Sequence, residues 1–221
     1  MKKIAACAHS FLIKASFLSI VLILTACALP DKPVRGQAYD FGLLPPAAAS
    51  TGIASANAPS VLRSPLNPVV LTDVEAAAAL DGTAMVYRLA YINGQALSPY
   101  ATSRWSMPPA QLVHQRLRDL LGANRVVMAG AEFSASGGWL VRSELDEFSQ
   151  VFESATQSSA VIRLRVTVSL PGPQGEKLLG QRSFRVQRAA ATADAPGGAQ
   201  ALAVATDALA QELDQWLRQL R

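Results

Sequence analysis

What can fold in this chain is decided near its start, by Leu24-Thr25-Ala26-Cys27. Met1-Lys2-Lys3 and Lys14 form a basic leader, and the apolar run Phe17-Leu18-Ser19-Ile20-Val21-Leu22-Ile23-Leu24 carries it into that tetrapeptide. A basic segment, a short apolar core and small residues before the cut make a secretory signal. Here the cut falls before a cysteine, which looks like a lipobox: the thiol is diacylglycerated, the signal removed and the new amine acylated. The uninterrupted apolar stretch is only about half of the roughly 20 residues a membrane span needs. The expected division is therefore a signal over residues 1–26 and a mature chain that begins at Cys27. Two or more acyl chains on that residue give stable anchoring, where one gives only marginal binding.

The same residue limits how the mature chain is held together. Of two cysteines, Cys7 leaves with the signal and Cys27 is consumed by lipid, so no disulfide framework remains. Stability has to come from a packed core, and a stretch of about 150 residues is long enough to bury one as a single domain. The signal also distorts the charge. Of 20 lysines and arginines three leave with it, while all 16 acids stay, so the mature chain is close to neutral. That excludes a global nucleic-acid footprint. Arg163, Arg165, Arg182, Arg185 and Arg188 cluster locally, and they read as a solvated strand face rather than a phosphate track.

Residues 27–68 read as an Ala/Pro/Ser-rich tether, because Pro30, Pro33, Pro45, Pro46, Pro59, Pro65 and Pro68 oppose both helix and ladder. One island, residues 39–43, alternates well enough for a short edge strand. Residues 69–221 read as an α+β domain, a mainly antiparallel sheet packed by two main helices. Strand candidates are Val69 to Val74, Met85 to Tyr91, Arg125 to Met128 and an imperfectly alternating stretch from Trp139 to Phe148. The clearest is Ile162-Leu164-Val166-Val168-Leu170, interleaved with Arg163, Arg165, Thr167 and Ser169 to give one wet face. It returns through Pro171 to Gly175 into Leu178–Val186 as a hairpin. Asp81-Gly82 and Asn93-Gly94 mark tight turns.

Pro108-Pro109 opens the first helix, whose stripe is Leu112, Val113, Leu117, Leu120 and Leu121, and Gly122 ends it. After an Ala/Gly-rich loop over 189–199, a second helix carries Leu202, Ala205, Leu209, Leu213, Trp216 and Leu220.

Chemistry is scarce in these residues. The mature chain keeps one histidine, His114, with no motif placing a nucleophile or an orienting acid beside it. One histidine and no free thiol are too few soft ligands for zinc or iron, so no metal or cofactor is expected beyond the acyl groups on Cys27. Glu144, Asp146 and Glu147 suit a solvated edge better than a pair of catalytic carboxylates. No Walker lysine motif or dinucleotide fingerprint occurs. The chain is not expected to be an enzyme. The segment Tyr100 to Pro109 is richer: Tyr100, Arg104 and Trp105 are residue types that dominate binding hot spots. They point to a contact surface, while Trp105 also suits a core cap where the helix enters.

The order of these pieces resembles the ABC-type transport auxiliary lipoprotein family, the PqiC-like proteins. The resemblance runs through Tyr39-Asp40-Phe41-Gly42, Leu80-Asp81-Gly82 with Met85-Val86-Tyr87-Arg88, and Arg104-Trp105 with Pro108-Pro109. It continues through Leu145-Asp146-Glu147-Phe148, Arg182-Ser183-Phe184 and Trp216-Leu217. It implies a periplasmic domain anchored in the outer membrane. Such a domain works beside an inner-membrane ABC transporter and an MCE-domain protein that move phospholipid or other hydrophobic molecules. Only Cys27 carries a family role, as the acylated position. The stretch between Leu44 and Val69 is longer than the pattern needs. A structural lipoprotein of an outer-membrane assembly machine and a periplasmic lipid carrier remain alternatives, and oligomeric state, a homo-oligomer included, stays open. Cys27→Ser is expected to abolish metabolic labelling with palmitate and to leave unprocessed precursor. Labelling that persists in that variant would contradict the anchor.

Overall fold

The computed structural model describes residues 36–43, 66–129 and 138–220. The signal, Cys27 and most of the proline-rich tether lie outside them. The strands are β1 (Gln37–Tyr39), β2 (Val69–Ala76), β3 (Ala84–Leu89), β4 (Gly94–Trp105), β5 (Val127–Ala129), β6 (Trp139–Phe152), β7 (Ser158–Gly172) and β8 (Gly175–Ala189). The helices are α1 (Ala90–Asn93), α2 (Pro109–Gly122) and α3 (Ala195–Leu217).

β6 organises the sheet. Along one edge it pairs antiparallel with β7 from Leu140↔Ser169 to Phe152↔Ser158. Its other edge is divided between two parallel partners: β2 from Val69↔Trp139 to Ala76↔Leu145, and β3 from Tyr87↔Gln150 to Leu89↔Phe152. β5 adds parallel to β2, β4 antiparallel to β3, β1 parallel to β4, and β8 antiparallel to β7. The sheet is thus mixed, with its longest ladders antiparallel. Val69, Val70 and Leu71 form an unbroken buried run where β2 lies between β6 and β5.

The imperfect alternation of β6 has a local cause. Leu145 faces Leu164 and Glu147 faces Arg163, so Asp146 is an extra residue with no partner opposite it. Such a bulge reverses the side-chain parity of everything after it. Leu145 and Phe148, three positions apart, are consequently both turned into the core at 1% exposure.

Both long helices cover one face of the sheet. α2 lies over β2, α3 lies over β7 and β8, and the two helices touch each other. Leu112, Val113, Leu117 and Leu121 meet Leu202, Ala205, Leu209, Leu213 and Leu217 in a core floored by Ile162, Leu164, Val166, Val168, Phe184 and Val186. α3 begins at Ala195, inside the stretch whose composition reads as a loop. Asp194 caps it by accepting from the Gly197 N–H at 2.9 Å and from the Thr192 hydroxyl at 2.6 Å. Those bonds hold its carboxyl below the usual range, the Thr192 hydroxyl contributing most. Glycines are required in this first turn: a Cβ at Gly197 would collide with the Thr192 carbonyl, and one at Gly198 with the Gln150 amide. At the hairpin tip Gly175 has φ +111°, where a side chain would be strained.

Other differences from the sequence reading are local. The strand expected to reach Tyr91 stops at Leu89, and α1 interrupts it before β4 begins. The strand expected from Arg125 starts at Val127 as β5, and Val126 before it is 48% exposed. The short edge strand expected at 39–43 forms two residues earlier, as β1, and Tyr39 and Phe41 pack against the core while Leu43 is 97% exposed. Phe41 packs edge-on against Trp105 at 6.0 Å and against Phe148 at 6.0 Å. Trp216 is half-buried, against Phe184 at 5.7 Å and over Gly180, so it contributes less than a core ring. Trp105 is 1% exposed and touches Phe148 at 5.4 Å. Trp105→Ala is expected to cost about 3–5 kcal/mol in denaturant unfolding, as for other buried large-to-small changes. An unchanged midpoint would contradict this packing.

Candidate functional site

The three residues read as a contact surface do not share one. Along β4 successive side chains alternate between faces, and Trp105 falls on the inner side while its neighbour Arg104 is exposed. Trp105 is therefore a core residue and not a partner contact. Tyr100 is half-buried. Its hydroxyl donates to Gln150 Oε1 at 2.8 Å, and its ring lies 4.7 Å from that of Tyr87. Burial first, then the charge of Asp194 and the neighbouring Tyr87, push its pKa up to about 12 from 10.0. Gln150 in turn donates to Ser158 Oγ at 2.8 Å, so Tyr100 belongs to a buried hydrogen-bond chain that seats the start of α3. Arg104 alone of the three is left for a partner. Cys27 lies outside the described residues.

A concavity was assembled from residues that sequence spacing keeps apart. Where α2 crosses β2 a cleft of about 790 Å³ opens, lined by Asp73, Glu75, Asp81, Gln111, His114 and Arg118 among others. Alternation in β2 sends Asp73 and Glu75 outward while Val74 is buried. The helical repeat puts Gln111, His114 and Arg118 on one side of α2. His114 Nδ1 sits 3.1 Å from the Thr72 carbonyl, which fixes the ring against the wall of the cleft. Asp73 and Asp81 thus line an open groove with an imidazole and a guanidinium, while Glu75 stands opposite Glu144 on the sheet face that carries Arg142. Among the described residues no cluster of histidine, cysteine or carboxylate groups is placed to hold a metal ion.

Buried ion pairs keep α2, the helical wall of the cleft, in place. Arg116 on α2 grips Asp207 of α3 with both nitrogens of its fork, Nη2 to Oδ2 at 2.8 Å. Arg125, with its side chain 1% exposed, binds Asp214 at 2.6 Å, and Arg218 binds the other oxygen of the same carboxylate at 2.7 Å. The sequence held one signal of this. Arg116 falls one turn after Leu112 and Val113, on the apolar stripe, where a solvent-facing arginine would be out of place. The cluster Glu144, Asp146 and Glu147 lies on the open face of the central strand rather than at an edge. Its members pair with Arg165, Arg163 and Arg88.

A family model described as the ABC-type transport auxiliary lipoprotein component matches residues 45–214. The chain belongs to that family. No curated protein matches it. Among solved structures it is similar to protein XCC0632 from Xanthomonas campestris at 17% identity and TM-score 0.59, over 69% of this chain and 84% of that one. An uncharacterized protein aligns at 16% identity and TM-score 0.52, over 71% and 94%. At these identities the likeness concerns the fold. Among the described residues no helix is long and apolar enough to cross a membrane.

Asp214→Asn keeps the shape of the side chain but leaves the buried Arg125 without a counter-charge. A loss of about 3–5 kcal/mol is expected, against less than about 1 kcal/mol for Arg165→Gln on the solvated face. Paired chemical melts check this, and equal losses would contradict it.

Proposed function

We propose that this chain is a periplasmic lipoprotein held in the outer membrane by acylated Cys27. In this reading its domain is the binding component of an ABC transporter system that includes an MCE-domain protein and moves lipids or other hydrophobic molecules. The family match over residues 45–214 carries the reading. The lipobox supports the anchor, and Ala28, in place of the aspartate that tends to retain lipoproteins in the inner membrane, supports outer-membrane sorting.

The domain works by docking. An open cleft lined by Asp73, Asp81, His114 and Arg118 suits charged side chains of a protein partner better than an acyl chain. This favours a transporter-docking role over a lipid carrier. Opposite charges on the two walls also orient whatever enters, since a segment must present a cation to β2 and an anion to α2. Arg104 is a second exposed position on the same domain.

Tagged chain from detergent-solubilised envelopes is expected to capture an MCE-domain protein. Asp73→Lys combined with Arg118→Glu reverses a charge on each wall of the cleft and is expected to lower capture by about tenfold or more, while acylation and sorting persist. Arg104→Ala measures the contribution of β4 separately. Wild-type chain that captures no MCE protein, or that fractionates with inner-membrane markers, would overturn the reading.

A further inference from the structure

The sheet face turned away from the helices is laced with ion pairs, and at one place the pairing fails. Glu144 is taken by Arg165 at 3.1 Å, and Asp146 is shared by Arg165 at 3.4 Å and Arg163 at 3.6 Å. Glu147 accepts from Arg88 Nε at 3.2 Å and from the Ser149 hydroxyl at 2.6 Å. Glu176 accepts from both terminal nitrogens of Arg142 at 2.6 Å, with its carboxyl drawn down to about 2 chiefly by those bonds. Glu153, just past the end of β6, accepts only from the Ser159 hydroxyl and, at 3.4 Å, from the Gln187 amide. Arg185 is left with an amide, Gln187 Oε1 at 3.4 Å.

Arg185 stands directly opposite Arg163 in the β7–β8 ladder, and Arg163 stands opposite Glu147 in the β6–β7 ladder. Like charges facing each other across a ladder are destabilising. Beside them the surface is hollow. A recess of about 140 Å³ is lined by Arg88, Arg163 and Arg185 with Glu147, and by the side chains of Val151 and Val161. Val161 is only 6% exposed. A water molecule has about 30 Å³ in the liquid, so the recess has room for a tetrahedral oxyanion and part of its ester. Guanidinium forks match phosphate oxygens in pairs, and an apolar lining strengthens the attraction by excluding water.

We propose that this recess binds a phosphate group, as free phosphate or as the ester of a lipid headgroup, through Arg163 and Arg185. An anion between the two arginines removes their mutual repulsion and gives Arg185 a charged partner in place of the Gln187 amide. Arg88 is the third cation, tied back by Glu147 and by the Gly94 and Gln95 carbonyls, the latter at 3.2 Å. The inference is independent of the transporter reading, because it concerns the open sheet face and not the cleft at α2. It departs from the sequence reading of these arginines as solvated. Solvated arginines beside the β8 edge, serving only to discourage strand pairing, are the competing account.

Calorimetry on the full acylated chain in maltoside, at constant ionic strength, separates the two. The probes are inorganic phosphate and the water-soluble diester glycerophosphoglycerol. Stronger binding of inorganic phosphate identifies a free-phosphate site, and stronger binding of the diester identifies a headgroup site. Arg185→Gln is expected to weaken the favoured probe by about tenfold or more, the scale of a lost charge-assisted bond. Arg163→Gln with Arg185→Gln is expected to abolish binding. Arg142→Gln, on the same face but committed to Glu176, should bind as the wild type does. The variants should melt with the wild type, since these side chains are outside the core. Absence of binding by both probes, or equal binding by the Arg185→Gln and wild-type chains, would overturn the proposal.

Discussion

The molecule depends on a single strand with three partners. β6 is paired without interruption to β7 and on its opposite edge hands over from β2 to β3 midway along. That hand-over would place the wrong residues in the core if β6 ran straight, because a regular strand alternates with a strict period of two. The bulge at Asp146 corrects the parity at the hand-over. One residue without a partner lets Leu145 serve the half under α2 and Phe148 serve the half that receives Phe41 and Trp105. The remaining elements dock on the surface this strand defines.

With no disulfide expected, the two helices are held to each other by charge as well as by leucine. Buried ion pairs are poor sources of net stability, since desolvation offsets much of the attraction. Their value lies in geometry. Arg116–Asp207 and Arg125–Asp214 fix the rotation and register of α2 against α3, which packing of similar aliphatic side chains leaves loosely specified. The position of α2 in turn sets the width of the cleft along β2.

Legibility in the sequence followed physical rules. β7 was plain because one face is wet and the other dry, and α2 because Pro109 opens it and four leucines and a valine stripe it. β4 was missed: it is an outer strand with polar residues on both faces and Pro99 inside it, so no period appears. The first turn of α3 was read as loop from its glycines, which are there because the helix approaches Thr192 and Gln150 too closely for any side chain. The parallel pairings of β2 and β3 with β6 could not be read, since continuous apolar runs do not name their partners. The contact surface expected at Tyr100, Arg104 and Trp105 divides because alternation along β4 turns Arg104 outward and Trp105 into the core, which residue type alone does not reveal. The cleft joins Asp73 and Asp81 to His114 and Arg118 through tertiary packing alone. Cys27 lies outside the described residues, and its role stays a proposal resting on the lipobox.

The pairing of β6 also dictates an order of events in folding. β2 must wait for β6, which follows after a long intervening stretch, and loop closure of that kind is slow to nucleate. The acids that neutralise Arg116 and Arg125 come later still, on the last helix of the chain. A chain emerging from its amino end therefore presents the underside of α2 and two unpaired guanidinium groups until its final segment arrives. During that interval the intermediate has an open apolar face and no means of closing it from within. Truncation at the carboxyl end would make that interval permanent.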